Sequence, residues 1–293
     1  MRHSQFILLS VFVLLSVGIA RAQLVSLQAD KRIAVADLSD AKKHPRMLAE
    51  GGDPCISPDG KSVAFTRSDK DGNRFIATAD AATGGWHLVS GIPGKNSYLP
   101  IWAPDGSTIY FNYFQGDNWA LARVDPAGGH FQILKDLPKQ PGSYGWFPNG
   151  KDLLCASTES FFVLTFDSSG KAALREIPKS ADLTGLSIPS RIDVSPDGTS
   201  ALFEMTVSED FGPHDDGPPS AVFLLDIHSG RITRITPKGI NASQASWLPD
   251  GKEFLFTVYD ARTSRGSICR AHADGSSKPA VVLKKAKEPK VAR

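Results

Sequence analysis

The side chains that could do chemistry are most concentrated in one short acidic stretch. Residues 209–219 read Glu-Asp-Phe-Gly-Pro-His-Asp-Asp-Gly-Pro-Pro, which places five ionisable groups in a segment rich in glycine and proline. Carboxylate oxygens bind divalent cations, and loops on a rigid scaffold often carry binding residues. We therefore predict that this stretch contributes to a ligand or partner site through Asp210, His214, Asp215 and Asp216. A solvated acidic loop is the alternative interpretation, and no residue is assigned as a metal ligand.

A second candidate group is aromatic. Tyr113 and Trp119 flank a short polar stretch, and Tyr98 and Tyr144 lie in connections that lead into predicted strands. Aromatic side chains are enriched at protein interfaces, so these four rings could form a platform for a peptide or a carbohydrate. The competing interpretation is that most of them pack inside the fold.

The sequence carries no motif of the common catalytic and cofactor-binding sites. It has no Gly-x-Ser-x-Gly elbow, phosphate-binding loop, dinucleotide fingerprint or His-Glu-x-x-His segment. Its three cysteines, Cys55, Cys155 and Cys269, are too few for a disulfide framework. We therefore predict no catalytic residue and no cofactor.

A repeated turn indicates the elements that would position these candidates. Five times, a short apolar segment leads into Pro-Asp-Gly or Pro-Asn-Gly, and an apolar strand such as Val63–Thr66 follows. Proline fixes φ in a tight turn, aspartate or asparagine tolerates the next position, and glycine accepts a left-handed backbone. The prolines lie 46, 44, 48 and 53 residues apart, a period typical of propeller blades. The predicted structural turns are Pro58, Asp59, Gly60; Pro104, Asp105, Gly106; Pro148, Asn149, Gly150; Pro196, Asp197, Gly198; and Pro249, Asp250, Gly251.

A second repeat predicts four strands in each blade. Strands that end in aspartate, as in Ile76–Asp80, recur six times, and their spacing widens to 59 residues across the acidic stretch. We therefore predict an all-β, six-bladed propeller of four-stranded antiparallel blades, with five blades as the alternative. The connections between second and third strands, including the acidic stretch, would then project from the face opposite the Pro-Asp-Gly turns.

The two ends of the chain differ from the repeats. Arg2 and His3 precede an apolar run over residues 6–19 and a small-residue site that ends at Ala22, which is typical of a cleaved signal peptide. We therefore predict a signal peptide at 1–22, the propeller at 23–285, and a basic C-terminal tail at 286–293 that is a poor strand. One of the six blades would be either incomplete or closed by this tail. The mature protein would be periplasmic or secreted, with no stable membrane span. With 33 basic and 31 acidic side chains, nothing predicts a nucleic-acid partner.

The five hairpins, the apolar strands after them and the aspartates that end the third strands resemble the repeats of the TolB-type β-propeller family. The resemblance covers residues 23–285 and implies an exported six-bladed propeller that works by binding other macromolecules. TolB itself has an N-terminal α/β domain, for which this chain offers no room ahead of its repeats. That difference separates the chain from TolB and its lipoprotein partner.

We therefore predict a non-catalytic binding or scaffold protein that holds a protein or peptide partner in the periplasm or cell envelope. The alternative function is a carbohydrate-active propeller enzyme, either a hydrolase or a lyase, which would need carboxylates or a base converging on the channel.

Overall fold

The chain folds into six four-stranded antiparallel sheets arranged as the blades of a ring. The structure is a computed structural model that describes residues 23–40, 44–167, 170–178, 189, 191–209, 211, 218–260, 263 and 265–293. Within those residues all regular secondary structure is β-strand. The prediction of a six-bladed, all-β propeller is confirmed, and the five-bladed alternative is wrong.

The strands are numbered along the chain, and the blades are numbered from the one that contains β1. The bounds of the 24 strands are β1 Leu24–Ala29, β2 Arg32–Asp37, β3 Arg46–Glu50, β4 Gly52–Ile56, β5 Ser62–Ser68, β6 Arg74–Asp80, β7 Trp86–Leu88, β8 Ser97–Trp102, β9 Ile109–Phe114, β10 Trp119–Val124, β11 Gln132–Ile133, β12 Ser143–Trp146, β13 Asp152–Ala156, β14 Phe161–Phe166, β15 Ala172–Glu176, β16 Ile192–Val194, β17 Ser200–Thr206, β18 Ser220–Asp226, β19 Ile232–Arg234, β20 Ala242–Trp247, β21 Glu253–Tyr259, β22 Gly266–His272, β23 Ala280–Lys284 and β24 Lys287–Val291.

Five blades consist of consecutive strands, and blade 1 joins the two ends of the described chain. Its strand order is β24-β1-β2-β3, so that its innermost strand comes from the residues assigned by sequence to the basic tail. Antiparallel pairing sets Val25 opposite Val291 and Ser26 opposite Lys290. Because β24 pairs with the inner edge of β1, blade 1 has four strands like the other blades and the backbone of β1 is not left unpaired at that edge. This closure explains why five turns accompany six blades.

The apolar core lies between the blades. Six clusters of buried side chains each join one blade to the next, and the cluster between blades 6 and 1 completes the circle. The second strand of a blade contributes at the same position Phe65, Phe111, Cys155, Phe203 or Phe256, each at most 1% exposed. Burial on both faces explains why these strands are continuously apolar. The three cysteines are buried and free.

The aspartates of the turns bind their own backbone. Asp59 Oδ1 accepts hydrogen bonds from the Ser57 hydroxyl at 2.6 Å and the Lys61 N–H at 3.1 Å. Asp197 repeats the arrangement with Ser195 and Thr199. These bonds, led by the serine hydroxyl, lower the pKa of both carboxyl groups. Such aspartates stabilise the turn through Oδ1.

In the described part of the chain, no helix is long and apolar enough to cross a lipid bilayer. The predicted signal peptide at 1–22 lies outside the described residues.

Candidate binding sites in the channel and on the loop rim

The two rims of the ring differ in what surrounds the central channel. One rim carries the Pro-Asp-Gly turns, and we call it the turn rim. There the glycine of one turn faces the proline of the preceding blade: a Cβ on Gly106 would lie 4.0 Å from Pro58, and one on Gly251 would lie 3.6 Å from Pro196. The opposite rim carries the connections between second and third strands, and we call it the loop rim.

The six innermost strands place residues in the channel at two depths. The two layers consist of the residues five and three positions ahead of each turn proline, and the pairing register of β4, β8 and β20 shifts in this segment. The loop-side layer consists of Asp53, Leu99, Ser143, Arg191, Gln244 and, in β24, Glu288. The turn-side layer consists of Cys55, Ile101, Gly145, Asp193, Ser246 and Lys290.

Four residues of the loop-side layer adopt an unusual backbone. Asp53, Leu99, Gln244 and Glu288 have φ between 52° and 58°, in the left-handed region that non-glycine residues rarely adopt. A neighbouring hydroxyl supports two of these positions in the same way: Thr257 donates to the Gln244 side chain at 3.2 Å and accepts the Glu288 N–H at 3.0 Å. The distorted layer is therefore fixed by contacts between blades.

Thr66 makes the equivalent bridge between blades 2 and 3. Its hydroxyl donates to Asp53 Oδ2 at 2.7 Å and accepts the Leu99 N–H at 3.1 Å. The Thr66 hydroxyl thus takes the place of the backbone carbonyl that would accept the Leu99 N–H in a regular pair of strands.

Arg191 crosses the channel in the loop-side layer. Its guanidinium donates to the carbonyl oxygen of Pro54 at 3.1 Å, although blades 5 and 2 stand opposite each other in the ring. Its other terminal nitrogen is buried and has no partner among the described residues, and the same holds for the hydroxyls of Ser143 and Tyr144. Arg191 therefore narrows the channel between the two layers.

Two carboxyl groups accompany Arg191. Glu288 is 8% exposed, and its Oε2 accepts the N–H of Asp53 at 2.8 Å. Burial and then the negative charge of Asp53 raise the pKa of Glu288, and the positive charge of Arg191 opposes them. This layer therefore penalises the ionised form of Glu288.

The turn-side layer holds a buried ion cluster around Asp193. Its Oδ1 is paired with Lys290 and, at 2.6 Å, with Arg293, and its Oδ2 accepts the Trp247 N–H at 2.7 Å and the Ser246 hydroxyl at 3.1 Å. Burial opposes ionisation, but the two cations and the hydrogen bonds outweigh it and lower the pKa of Asp193. Since Lys290 belongs to β24 and Asp193 to β16, the cluster fastens the strand that closes the ring.

A cavity of about 290 Å³ opens from the turn-side layer towards the turn rim. Its walls are mostly apolar, with Lys290, Arg293 and Asp193 on one side. Four turn prolines line its mouth: Pro58, Pro104, Pro148 and Pro196. The volume lies at the lower limit for small-ligand pockets, and an apolar wall with a few charged groups is common in them.

On the loop rim, two of the predicted aromatic residues meet in one cluster. Tyr98 and Trp119 pack edge to face with their ring centroids 4.9 Å apart, and Phe114 lies 5.0 Å from Trp119. The Arg74 guanidinium lies 4.1 Å from the centroid of Tyr98 and 5.3 Å from that of Trp119. We call these four residues the aromatic–arginine cluster.

The other two predicted aromatics are buried. Tyr113 packs against Phe131 at 5.2 Å within the blade 2–3 core, and Tyr144 is 2% exposed. Burial raises the pKa of Tyr144 well above its usual value.

The acidic candidates Asp210, His214, Asp215 and Asp216 lie outside the described residues. Glu209, at the start of that stretch, is bound by the Arg234 guanidinium and by the Gly239 N–H at 3.0 Å, and these bonds lower its pKa to about 2. Among the residues that the structure describes, no three His, Cys, Asp or Glu side chains are grouped to hold a metal ion.

Sequence reasoning overlooked Arg191, Asp193, Glu288 and Lys290. A signal was present, because residues 191–193, which lead into β16, read Arg-x-Asp and β24 contains Glu-x-Lys, with opposite charges at matching positions. The Arg-x-Asp and Glu-x-Lys patterns can be matched only once β24 is known to be the innermost strand of blade 1.

Comparison with known proteins supports the fold. No protein-family model matches the chain. TolB from Acinetobacter baumannii superposes with a TM-score of 0.67 at 18% identity, covering 92% of this chain and 66% of that one. A putative TolB from Agrobacterium tumefaciens superposes with a TM-score of 0.62 at 16% identity, covering 89% and 88% of the two chains. The chain has a TolB-type β-propeller fold.

One curated relative has a name that suggests an enzyme. The uncharacterized peptidase YuxL of Bacillus subtilis is 26% identical over 224 residues, which is 73% of this chain and 30% of that protein. The chain thus spans under a third of this relative's length.

Proposed function

We propose that the protein is an exported, non-catalytic binding propeller that holds a protein or peptide partner against its loop rim. The observation that carries this proposal is the aromatic–arginine cluster, in which Trp119 stays 40% exposed although it contacts Tyr98, Phe114 and Arg74. Tryptophan, tyrosine and arginine are the residue types that contribute most to interface affinity.

The cluster is held ready for binding. Arg74 Nε donates to the Asn96 side chain at 2.7 Å while its guanidinium lies over Tyr98, so the cation is fixed before any partner arrives. A preorganised side chain loses little conformational entropy on association. The surface therefore suits a peptide segment that offers an apolar side chain to Trp119 and an acceptor to Arg74.

Export is part of the proposal. Its support is the pattern of Arg2, the apolar run at 6–19 and the small-residue site at Ala22, together with the TolB-like fold. The acidic stretch at 209–219 is proposed to extend the same rim.

Site-specific photocrosslinking tests the proposal. A benzophenone amino acid is placed at position 119 or at position 86, and each variant is expressed in the cell envelope of its host. Trp86 is the matched control because it is 45% exposed and lies 5.4 Å from the Arg67 guanidinium, but on the outer strand of blade 2.

We expect a discrete protein adduct from position 119 that is absent at position 86 and is lost in a background of Arg74→Ala. Equal adducts at both positions, or none at position 119 in folded protein, would remove the loop rim as the partner surface.

A glycan-cleaving enzyme is the second candidate function. The observation that favours it is the pair formed by Glu288, whose pKa is raised, and Asp53, because glycosidases use a protonated acid beside a second carboxylate. Reducing-sugar release from a panel of polysaccharides, compared between the wild type and Glu288→Gln, tests this function. Release that disappears in Glu288→Gln would favour the enzyme, and no release by the wild type would exclude it for that panel.

A further inference from the structure

We propose that the cavity at the turn rim is a binding site for a small carboxylic acid with an apolar body. The cavity lies at the opposite end of the channel from the aromatic–arginine cluster. Its occupancy and the partner proposed for the loop rim are therefore tested independently.

One residue of the turn-side layer, Gly145, lines the cavity without a side chain. Gly145 in blade 4 stands opposite Lys290 in blade 1, since two blades lie between them on either side of a ring of six. A Cβ on Gly145 would lie 2.4 Å from the carbonyl oxygen of Ile192, so the close approach of blades 4 and 5 requires glycine here. The space facing Lys290 is thus built into the inner strands.

The charge on one wall is positive. Lys290 and Arg293 both pair with the single carboxylate of Asp193, so the charged side chains that line the cavity have one excess positive charge. Their side chains are only 20% and 22% exposed, so water screens them weakly. An anion in the cavity would neutralise this excess.

Hydrogen-bond donors remain for such an anion. Arg293 donates to Asp193 and, at 2.7 Å, to the Val194 carbonyl, and Lys290 donates to Asp193. A guanidinium has five N–H groups and an ammonium has three, so both cations keep donors beyond these bonds. The two oxygens of a carboxylate can accept from both cations at once.

The rest of the wall selects the body of the ligand. Ile101, Trp146 and Phe147 contribute apolar surface. Trp146 also differs from its equivalents: Trp102 and Trp247 donate their indole N–H to a carbonyl of the preceding blade at 2.9 and 3.1 Å, whereas that of Trp146 is buried without a partner among the described residues. A wall residue thus has an unused donor.

These features favour a monocarboxylate over other charged ligands. A cationic ligand would be repelled by the excess positive charge. A multiply charged anion would have to shed more hydration than one excess charge and an apolar wall can replace. In a carboxylic acid with an aryl or alkyl body, the carboxylate matches Lys290 and Arg293 and the body matches the apolar wall.

Calorimetric titration of the full chain with 3-phenylpropionate and with its uncharged analogue 3-phenylpropionamide tests the proposal. We expect the acid to bind about tenfold more tightly than the amide at low ionic strength, and salt to weaken only the acid. N-acetylphenylalanine and a peptide ending in phenylalanine form two further arms, which distinguish a free acid from a chain terminus as the source of the carboxylate.

Variants locate the binding. Lys290→Met keeps the apolar stem and should weaken 3-phenylpropionate about tenfold while leaving the amide unchanged. Arg293→Gln should do the same and serves if Lys290→Met fails to fold, which circular dichroism reports. Lys61→Met is the control, because Lys61 lies on the same rim with its side chain 82% exposed.

Equal affinities for acid and amide, or acid binding that survives both Lys290→Met and Arg293→Gln, would overturn the proposal. Absence of any heat with 3-phenylpropionate and with both phenylalanine ligands in folded wild type would overturn it as well.

Discussion

In the loop-side layer of the channel, the acidic residue Glu288 of β24 is combined with the basic residue Arg191, which directly precedes β16 of blade 5. Two residues further along both strands the charges are reversed, and the basic Lys290 of β24 pairs with the acidic Asp193 of β16. The two layers therefore use the same pair of strands with opposite polarity. They also differ in balance. The loop-side layer has two carboxyl groups around one cation, whereas the carboxylate of Asp193 has two cations around it, Lys290 of the same layer and Arg293 beyond it.

This difference decides how each acid responds to burial. Glu288 and Asp193 are both nearly inaccessible to solvent, at 8% and 2% exposure. The pKa of Glu288 is nevertheless raised and that of Asp193 is lowered. Burial penalises both anions, so the number and sign of the neighbouring charges set the direction. The contrast indicates that nearby cations compensate the charge of Asp193 in the turn-side layer, while the loop-side layer leaves the charge of Glu288 only partly compensated.

Among substitutions in the two layers, replacing Asp193 should change the free energy of unfolding most. Asp193→Asn leaves Lys290 and Arg293 close together without their counter-ion, and we expect it to lower the free energy of unfolding by about 3 kcal/mol. Urea denaturation followed by tryptophan fluorescence measures the change.

The control is Asp59→Asn, in an exposed turn where the third repeat already has Asn149. It should change the free energy of unfolding by less than about 0.5 kcal/mol. A similar loss in both variants would contradict the special role of the turn-side layer.

Gly145→Ala should destabilise the turn-side layer through a steric clash, without any change of charge. Its Cβ would lie 2.4 Å from the Ile192 carbonyl oxygen, and the forced separation of blades 4 and 5 should cost about 2 kcal/mol in the free energy of unfolding. Thermal denaturation checks this. In Gly85→Ala the nearest atom to the new Cβ would be 3.6 Å away, and no loss is expected there.

Glu288→Gln should stabilise the protein, in contrast to the two preceding substitutions. Because burial and Asp53 penalise the ionised form of Glu288, a neutral amide at this position should raise the free energy of unfolding at pH 7 by on the order of 1 kcal/mol or less. The carbonyl oxygen of the introduced amide can still accept the N–H of Asp53. A clear loss of stability in denaturant titration would show that the attraction of Arg191 outweighs both penalties.

The smallest effect is the pH dependence that separates the two acids. The folded-state pKa of Glu288 is raised above its ordinary value of 4.5, so the folded state binds this proton more tightly, and stability is gained as pH falls through the raised value to 4.5. The folded-state pKa of Asp193 is lowered from 3.8, so its stabilisation is present above 3.8 and is lost as pH falls through the folded value.

Denaturation of the two variants at a series of pH values separates these contributions. The advantage of Glu288→Gln over the wild type should shrink as pH falls from about 7 to 4.5. The deficit of Asp193→Asn should stay constant above about pH 4 and shrink below 3.8. Parallel curves for all three proteins would contradict the opposite shifts of the two layers.

The sequence contained the blade architecture because that architecture is local. Pro-Asp-Gly turns, continuously apolar second strands and aspartates at strand ends depend on residues a few positions apart, so that each repeat specified its own hairpins. The local repeats gave no indication that Arg74, in blade 2, lies over Tyr98 and Trp119 of blade 3.

Only the tertiary structure decided what the channel contains. Residues 287–291 read as a poor strand, with two lysines, a glutamate and a proline, yet the open edge of β1 and the ion pairs with Asp193 make them the innermost strand of blade 1. Asp193 and Lys290 are 97 residues apart, and Gly145 opposes Lys290 only in a closed ring. Local sequence thus determined the blades, and ring closure, which is a long-range event, placed the charges and the cavity.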